Sequence, residues 1–124
     1  MKTIISILLI TFANSAFTQT GYDHIGKFKN GKAFVSRDGQ IGIIDENGKE
    51  IVPLKYDCIM KFKHGKALVS KDGHCGYINE SGTEIIKVKY EYIGKFKHGK
   101  ALVTVDGRQG IIDEKGNEIV KVTE

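Results

Sequence analysis

The chain repeats itself every 34 residues without an insertion or deletion. Tyr22, Tyr56 and Tyr90 open three units, 22–55, 56–89 and 90–123, with Glu124 left over. Ile25, Ile59 and Ile93 match, as do Phe28, Phe62 and Phe96. The stretch KAFVSRDG returns as KALVSKDG and KALVTVDG. Such a period specifies a supersecondary unit that buries its apolar face by stacking on copies of itself. A finer period lies inside it: Gly31, Gly48, Gly65, Gly82, Gly99 and Gly116 are spaced by 17. The building block is therefore read as one 17-residue hairpin, with six hairpins making the domain.

Glycine placement supports this. Of the 15 Gly in 124 residues, 12 fall in four columns. Lys29-Asn30-Gly31, Arg37-Asp38-Gly39 and Glu46-Asn47-Gly48 each set a short polar residue before Gly. That order suits a type I turn followed by a left-handed residue, or a tight two-residue hairpin loop. Between the turns lie Asp23–Phe28, Lys32–Ser36, Gln40–Asp45 and Glu50–Leu54, rich in β-branched and aromatic residues and too short for helices. The fourth column, Gly42, Gly76 and Gly110, sits inside a strand pattern and marks a bulge or a close backbone approach, read here as the place where one hairpin packs on the next. This much Gly disfavours a helical bundle, and a single Pro excludes a collagen-like chain. The expected fold is all-β: an antiparallel β-hairpin array of three 34-residue units with about four strands each. An open stack needs atypical terminal caps, yet the outer units look like the middle one. A curved array closed in a barrel- or propeller-like way is therefore expected, with an open β-solenoid as the alternative.

These residues resemble the WG (KWG) repeat family of bacterial proteins. The resemblance runs through Gly39-Gln40-Ile41-Gly42-Ile43-Ile44-Asp45, then Gly48-Lys49-Glu50-Ile51-Val52-Pro53-Leu54-Lys55-Tyr56, and the Phe-x-x-Gly-x-Ala-x-Val run from Phe28 to Val35. It covers about five-sixths of the chain. The signature Trp is absent, with Ile41, Cys75 and Gln109 in its place, and Pro53 is replaced by Lys87 and Lys121 in the later units. The resemblance implies a β-rich repeat scaffold, often in exported proteins, that binds partners and has no known reaction. The Trp's own role does not carry over to a chain that lacks it.

The first residues have another character. Lys2 supplies a positive start, Ile4 to Phe12 form an apolar run broken only by Ser6 and Thr11, and Ala13-Asn14-Ser15-Ala16 are small. This is the layout of a secretory signal peptide. Cuts after Ser15 or Thr18 fit, and the second, leaving Gln19 first, is preferred. The expected organisation is thus a signal peptide over 1–18 and a repeat domain over 19–124, in a protein secreted, periplasmic or on the cell surface. The apolar run is shorter than the roughly 20 residues that span a bilayer, so no membrane span is expected after cleavage. Loss of Lys2 leaves 18 basic and 15 acidic residues, too mild an excess to indicate specific nucleic-acid binding.

Half of those basic residues stand in one repeated feature. Lys27, Lys29 and Lys32 return as Lys61, Lys63 and Lys66, and as Lys95, Lys97 and Lys100. On an extended strand Lys27 and Lys29 would share one face and Phe28 the other. The nine lysines form a ladder that would dock an anionic polymer or an acidic partner. The alternative is a solvated outer face that blocks edge pairing, neutralised by the acidic column Glu50, Glu84 and Glu118.

Cys58 and Cys75, 17 residues apart, hold matching places in adjacent hairpins. In an oxidising compartment they are candidates for a disulfide, with two buried free thiols as the alternative. His74 beside Cys75 is not enough for zinc. His64 and His98 take the turn place of Asn30, while His24 and His74 have no counterparts. No metal site, cofactor or catalytic residue is expected, because each candidate sits in a repeating structural column. The reading is an exported, non-catalytic binding module for a protein or an anionic envelope polymer. A secreted hydrolase or a structural assembly subunit is the alternative, and an oligomer is compatible with either.

Overall fold

The computed structural model describes residues 21–122. The expected signal segment, 1–18, lies outside them. Among the described residues the regular structure is β only, in twelve strands. The first unit contains β1 (His24–Ile25), β2 (Lys32–Arg37), β3 (Gln40–Asp45) and β4 (Glu50–Tyr56). The second contains β5 (Cys58–Ile59), β6 (Lys66–Lys71), β7 (His74–Asn79) and β8 (Glu84–Tyr90). The third contains β9 (Tyr92–Ile93), β10 (Lys100–Val105), β11 (Arg108–Asp113) and β12 (Glu118–Val120). Each set of four forms its own antiparallel meander, in the order β1-β2-β3-β4, β5-β6-β7-β8 and β9-β10-β11-β12.

Backbone chemistry sorts the turns into two kinds. Asn30, His64, His98, Asp38, Asp72 and Asp106 have φ of 52–54°, and the glycines that follow them have φ of 77–81°. Two successive positive φ angles define type I′ hairpin turns, whose twist matches that of the flanking strands. The third turn is wider. Gly48 donates to the Asp45 carbonyl at 3.0 Å, and Asp45 Oδ1 accepts the Asn47 and Lys49 amides, both at 2.9 Å. Asn79 and Asp113 repeat this cap. A short side-chain carboxylate or amide that replaces backbone acceptors explains Asp or Asn at the head of this turn.

The strand glycines face a bulge. Between β3 and β4, Ile43 pairs with Val52 but Ile41 pairs with Tyr56, so β4 carries extra residues opposite Gly42. A Cβ on Gly42 would lie 2.5 Å from the Val52 carbonyl oxygen. The close approach is thus within one sheet, and β4 resumes pairing at Tyr56, past the expected end at Leu54. The first strand is shorter than expected. Gly26 donates to the Phe34 carbonyl and Lys29 to that of Lys32, both at 2.8 Å. Three residue steps therefore face two, Lys27 and Phe28 drop out of the ladder, and their strand alternation does not apply.

Stacking comes from the bulged strand itself. Val52 and Tyr56 join Ile59, Ala67, Val69 and Ile78 of the second sheet in one buried cluster. Ile86 and Tyr90 join Ile93, Ala101, Val103 and Ile112 of the third in another. The sheets touch through β3 with β5 and β4 with β6, and again through β7 with β9 and β8 with β10. Among the described residues no sheet closes into a barrel, and the contacts run from each sheet to the next. The expected closure is corrected to the open, solenoid-like order. The outer faces of the first and third units do not meet, since Ile25 is 51% exposed and Val120 50%.

The expected Cys58–Cys75 disulfide is also corrected, since both thiols are free. Cys58 pairs with Ser70, and Ser70 pairs with Cys75 on its other side. Two strand spacings separate the cysteines, about 9–10 Å, beyond the roughly 4.4–6.8 Å that a disulfide spans. Alkylation of the urea-unfolded protein without reductant is therefore expected to label both thiols. A mass showing neither labelled would establish the bridge instead.

Candidate functional site

The junction between the first two sheets holds a groove of about 510 Å³. Its floor is apolar, from Ala33, Phe34, Ile43, Ile59 and Phe62, and its rim carries Lys27, Lys29, Lys32 and Lys61 with Glu80. The bulge after Gly26 carries Lys27 out of the ladder, and the adjoining turn holds Lys29 and Lys32 together across a narrow bridge. The matching bulge places Lys61 on the far side. Phe34, 42% exposed, leaves an unusual amount of aromatic surface on the floor.

The nine lysines of the sequence ladder are not equivalent. Lys32 Nζ lies 3.5 Å from Glu80 Oε1 and donates to the Glu80 carbonyl at 3.3 Å. Lys66 repeats the pair with Glu114 at 3.4 Å. These two are joints between consecutive units. Lys27, Lys29 and Lys61 are exposed, and among the described residues they have no ion-pair partner. Three free cations thus surround one apolar floor. Lys63, Lys95, Lys97 and Lys100 lie elsewhere on the array.

The second junction carries an aromatic pair. Where the first unit has Ile43, the second has Tyr77, whose ring meets Phe96 edge-on at 5.9 Å and 72°. Lys66 Nζ sits 4.8 Å from the Phe96 ring centroid and 5.9 Å from that of Tyr77. A cation over two rings is held by their quadrupoles, so this lysine is less available than Lys32. Two floor positions distinguish the junctions: Ile43 becomes Tyr77 and Phe34 becomes Leu68.

The acidic columns also differ from expectation. Glu84 and Glu118 do not neutralise the ladder. They pair with Lys55 at 3.7 Å and Lys89 at 3.4 Å, and accept the hydroxyls of Tyr56 at 2.9 Å and Tyr90 at 3.4 Å. Glu50 accepts that of Tyr22 at 3.2 Å. Burial foremost, with the neighbouring carboxylate, pushes the three phenol pKa values up. The neutralising residues are Glu80 and Glu114, which were not singled out from the sequence. Their signal was an unbroken Glu column, Glu46, Glu80 and Glu114, at a turn position that needs no acid.

The remaining candidates have structural accounts. His64 and His98 occupy the left-handed first position of a type I′ turn, which favours Asn, Asp and His over other side chains. His74 Nδ1 lies 3.1 Å from the Asp72 carbonyl. Burial pushes the Cys75 thiol up, against a lesser opposite pull from the Ile93 amide, which makes it a poor nucleophile. Asp57 accepts the Asp72 amide at 2.8 Å and the Gln40 side chain at 2.7 Å, and these bonds hold its carboxyl below the usual range.

Comparison with known proteins bears on the fold. No curated protein and no solved structure matches the chain. A family model described as "WG containing repeat" matches residues 19–40, 41–75 and 76–108, three consecutive segments that together exceed half the chain. The matched segments are out of phase with the 34-residue units counted from Tyr22, as a continuous repeat permits. The chain belongs to the WG containing repeat family.

Proposed function

We propose that this β-repeat protein is an exported, non-catalytic binding module that takes an acidic protein segment in the groove between its first two units. The observation that carries the reading is three unpaired lysines, Lys27, Lys29 and Lys61, around an apolar floor. Cations at the rim steer and retain a carboxylate-bearing chain. The exposed face of Phe34 rewards a ligand that brings an apolar side chain with its charges. A purely polar envelope polymer would satisfy the lysines and leave that floor wet. Export is supported by Lys2, the apolar run from Ile4 to Phe12 and the small residues after it. Intact-mass measurement of the secreted protein should place the N-terminus at Gln19.

A labelled acidic peptide with one Phe is the probe. Joint Lys27→Glu and Lys61→Glu substitution is expected to weaken its binding tenfold or more, about the effect of replacing two attractions with repulsions. Lys95→Glu with Lys97→Glu, the same charge change away from the groove, should leave it nearly unchanged. Added salt should weaken the parent protein's binding more than the variant's. Equal loss from both pairs would mean a diffuse basic surface. Equally tight binding of a polyanion without apolar groups would favour an envelope polymer.

A further inference from the structure

The two ends of the array are unmatched halves of a joint that the chain already makes twice. On the outgoing side of a unit stand a lysine and the bulged strand. Lys32 with Val52, and Lys66 with Ile86, meet the next unit, where Val52 is 0% exposed and Ile86 1%. The third unit presents the same set to solvent: Lys100, exposed, with Ile119 and Val120 each 50% exposed. On the incoming side stand an Ile, a Glu and a turn glycine. Ile59 and Ile93 are 8% and 9% exposed there, but Ile25 is 51% exposed. A Cβ on Gly82 would meet the Ile51 carbonyl oxygen at 2.6 Å, and one on Gly116 that of Ile85 at 3.2 Å, whereas Gly48 has nothing within 4 Å. Glu80 and Glu114 hold the lysine of the preceding unit, while Glu46 has no ion-pair partner among the described residues.

We infer that the third unit of one chain docks on the first unit of a second copy, head to tail, with Lys100 paired to the second copy's Glu46. Charge complementarity and continuity with two existing joints select this occupant. The end that lacks an acid offers a lysine, and the end that lacks a lysine offers the acid. The exposed Ile119 and Val120 then cover the exposed Ile25, as Ile51 and Val52 lie against the second sheet inside the chain. The contact is heterologous: a surface on one copy meets a different surface on the next, so association closes into a ring or runs on into a filament. The inference does not depend on the acidic-ligand reading, because neither Lys27 nor Lys61 takes part.

Light scattering of the full chain across a range of concentrations tests it. The mass is expected to rise with concentration above that of the single chain. Lys100→Glu alone and Glu46→Lys alone should each weaken association about fivefold, the scale of a surface pair turned repulsive. The chain carrying both changes should regain the lost affinity, because the pair is restored with its signs exchanged. Val120→Asp should abolish association, while its circular dichroism remains that of the parent. The internal joints keep Lys32–Glu80 and Lys66–Glu114 in every variant. A chain that stays monomeric at all concentrations overturns the inference. So does association that ignores all four variants, or that the double charge exchange fails to restore.

Discussion

Gly76→Ala is expected to remove more than about 3 kcal/mol of stability, the upper end of the range for overpacking. A methyl group at this position would overlap the Ile86 carbonyl oxygen and lie 2.8 Å from the Lys87 carbonyl carbon and oxygen. Both belong to the bulged backbone of β8, so no side chain can swing away to make room. Moving that backbone would pull Ile86 and Tyr90, each 1% exposed, out of the cluster that joins the second sheet to the third. A domain of this size has only about 5–15 kcal/mol in total. The control is Gly73→Ala, three residues away. Its φ of 81° is unfavourable for alanine, but nothing lies within 4 Å of the new methyl group. It should cost only the left-handed penalty, about 1–2 kcal/mol. Urea denaturation of the two variants beside the parent makes the comparison. Equal midpoints would show that the bulge yields and that close approach does not fix this glycine.

That contrast shows what the sequence makes legible. The period, the four-strand unit and the turn positions follow from glycine and β-branched residues, because turns and strands are local and each unit repeats the same instructions. The bulge at Gly42 was legible as an anomaly, but only the pairing of Ile41 with Tyr56 shows that the extra residues lie on the opposite strand. The cysteines show the limit of spacing arguments. A separation of 17 residues puts Cys58 and Cys75 in matching hairpins, yet Ser70 stands between them. The lysine ladder was visible as nine residues. Its division into joints and free cations depends on Glu80 and Glu114 from the following units, across distances no local pattern records. The groove itself is set by differences between copies, Ile43 against Tyr77 and Phe34 against Leu68, which a reading of the repeat as a repeat averages away. Open stacking over closure is a matter of which faces meet, and near-identical units are compatible with both.

High pH is expected to unfold the protein, through the tyrosines that begin the units. Tyr56 and Tyr90 are each 1% exposed, and their hydroxyls donate to Glu84 and Glu118. Burial opposes the phenolate, and so does the carboxylate beside it, so both groups titrate above the ordinary value of 10.0 in the folded protein. In the unfolded chain they ionise near that ordinary value. A raised folded pKa means that the stabilisation is fully present below pH 10. It is lost as pH rises from there through the folded values. Each tyrosine that stays neutral when folded and ionises when unfolded removes about 1.4 kcal/mol per pH unit in that window. While both stay neutral in the folded protein, two such residues together remove close to about 3 kcal/mol per unit, a large share of an ordinary domain's stability. Tyr22, with its Glu50 bond, adds in the same direction, but it is only partly buried and contributes less. Urea denaturation at a series of pH values from 8 to 12, followed by circular dichroism, measures the slope. Tyr56→Phe should lose about 1–2 kcal/mol at pH 8, where the bond to Glu84 is missing, yet decline less steeply above pH 10, because one of the two buried phenols is gone. Tyrosinate absorbance should rise together with the loss of structure. Parallel slopes for the parent and Tyr56→Phe would show that this phenol does not couple ionisation to unfolding, and that the alkaline limit lies elsewhere in the chain.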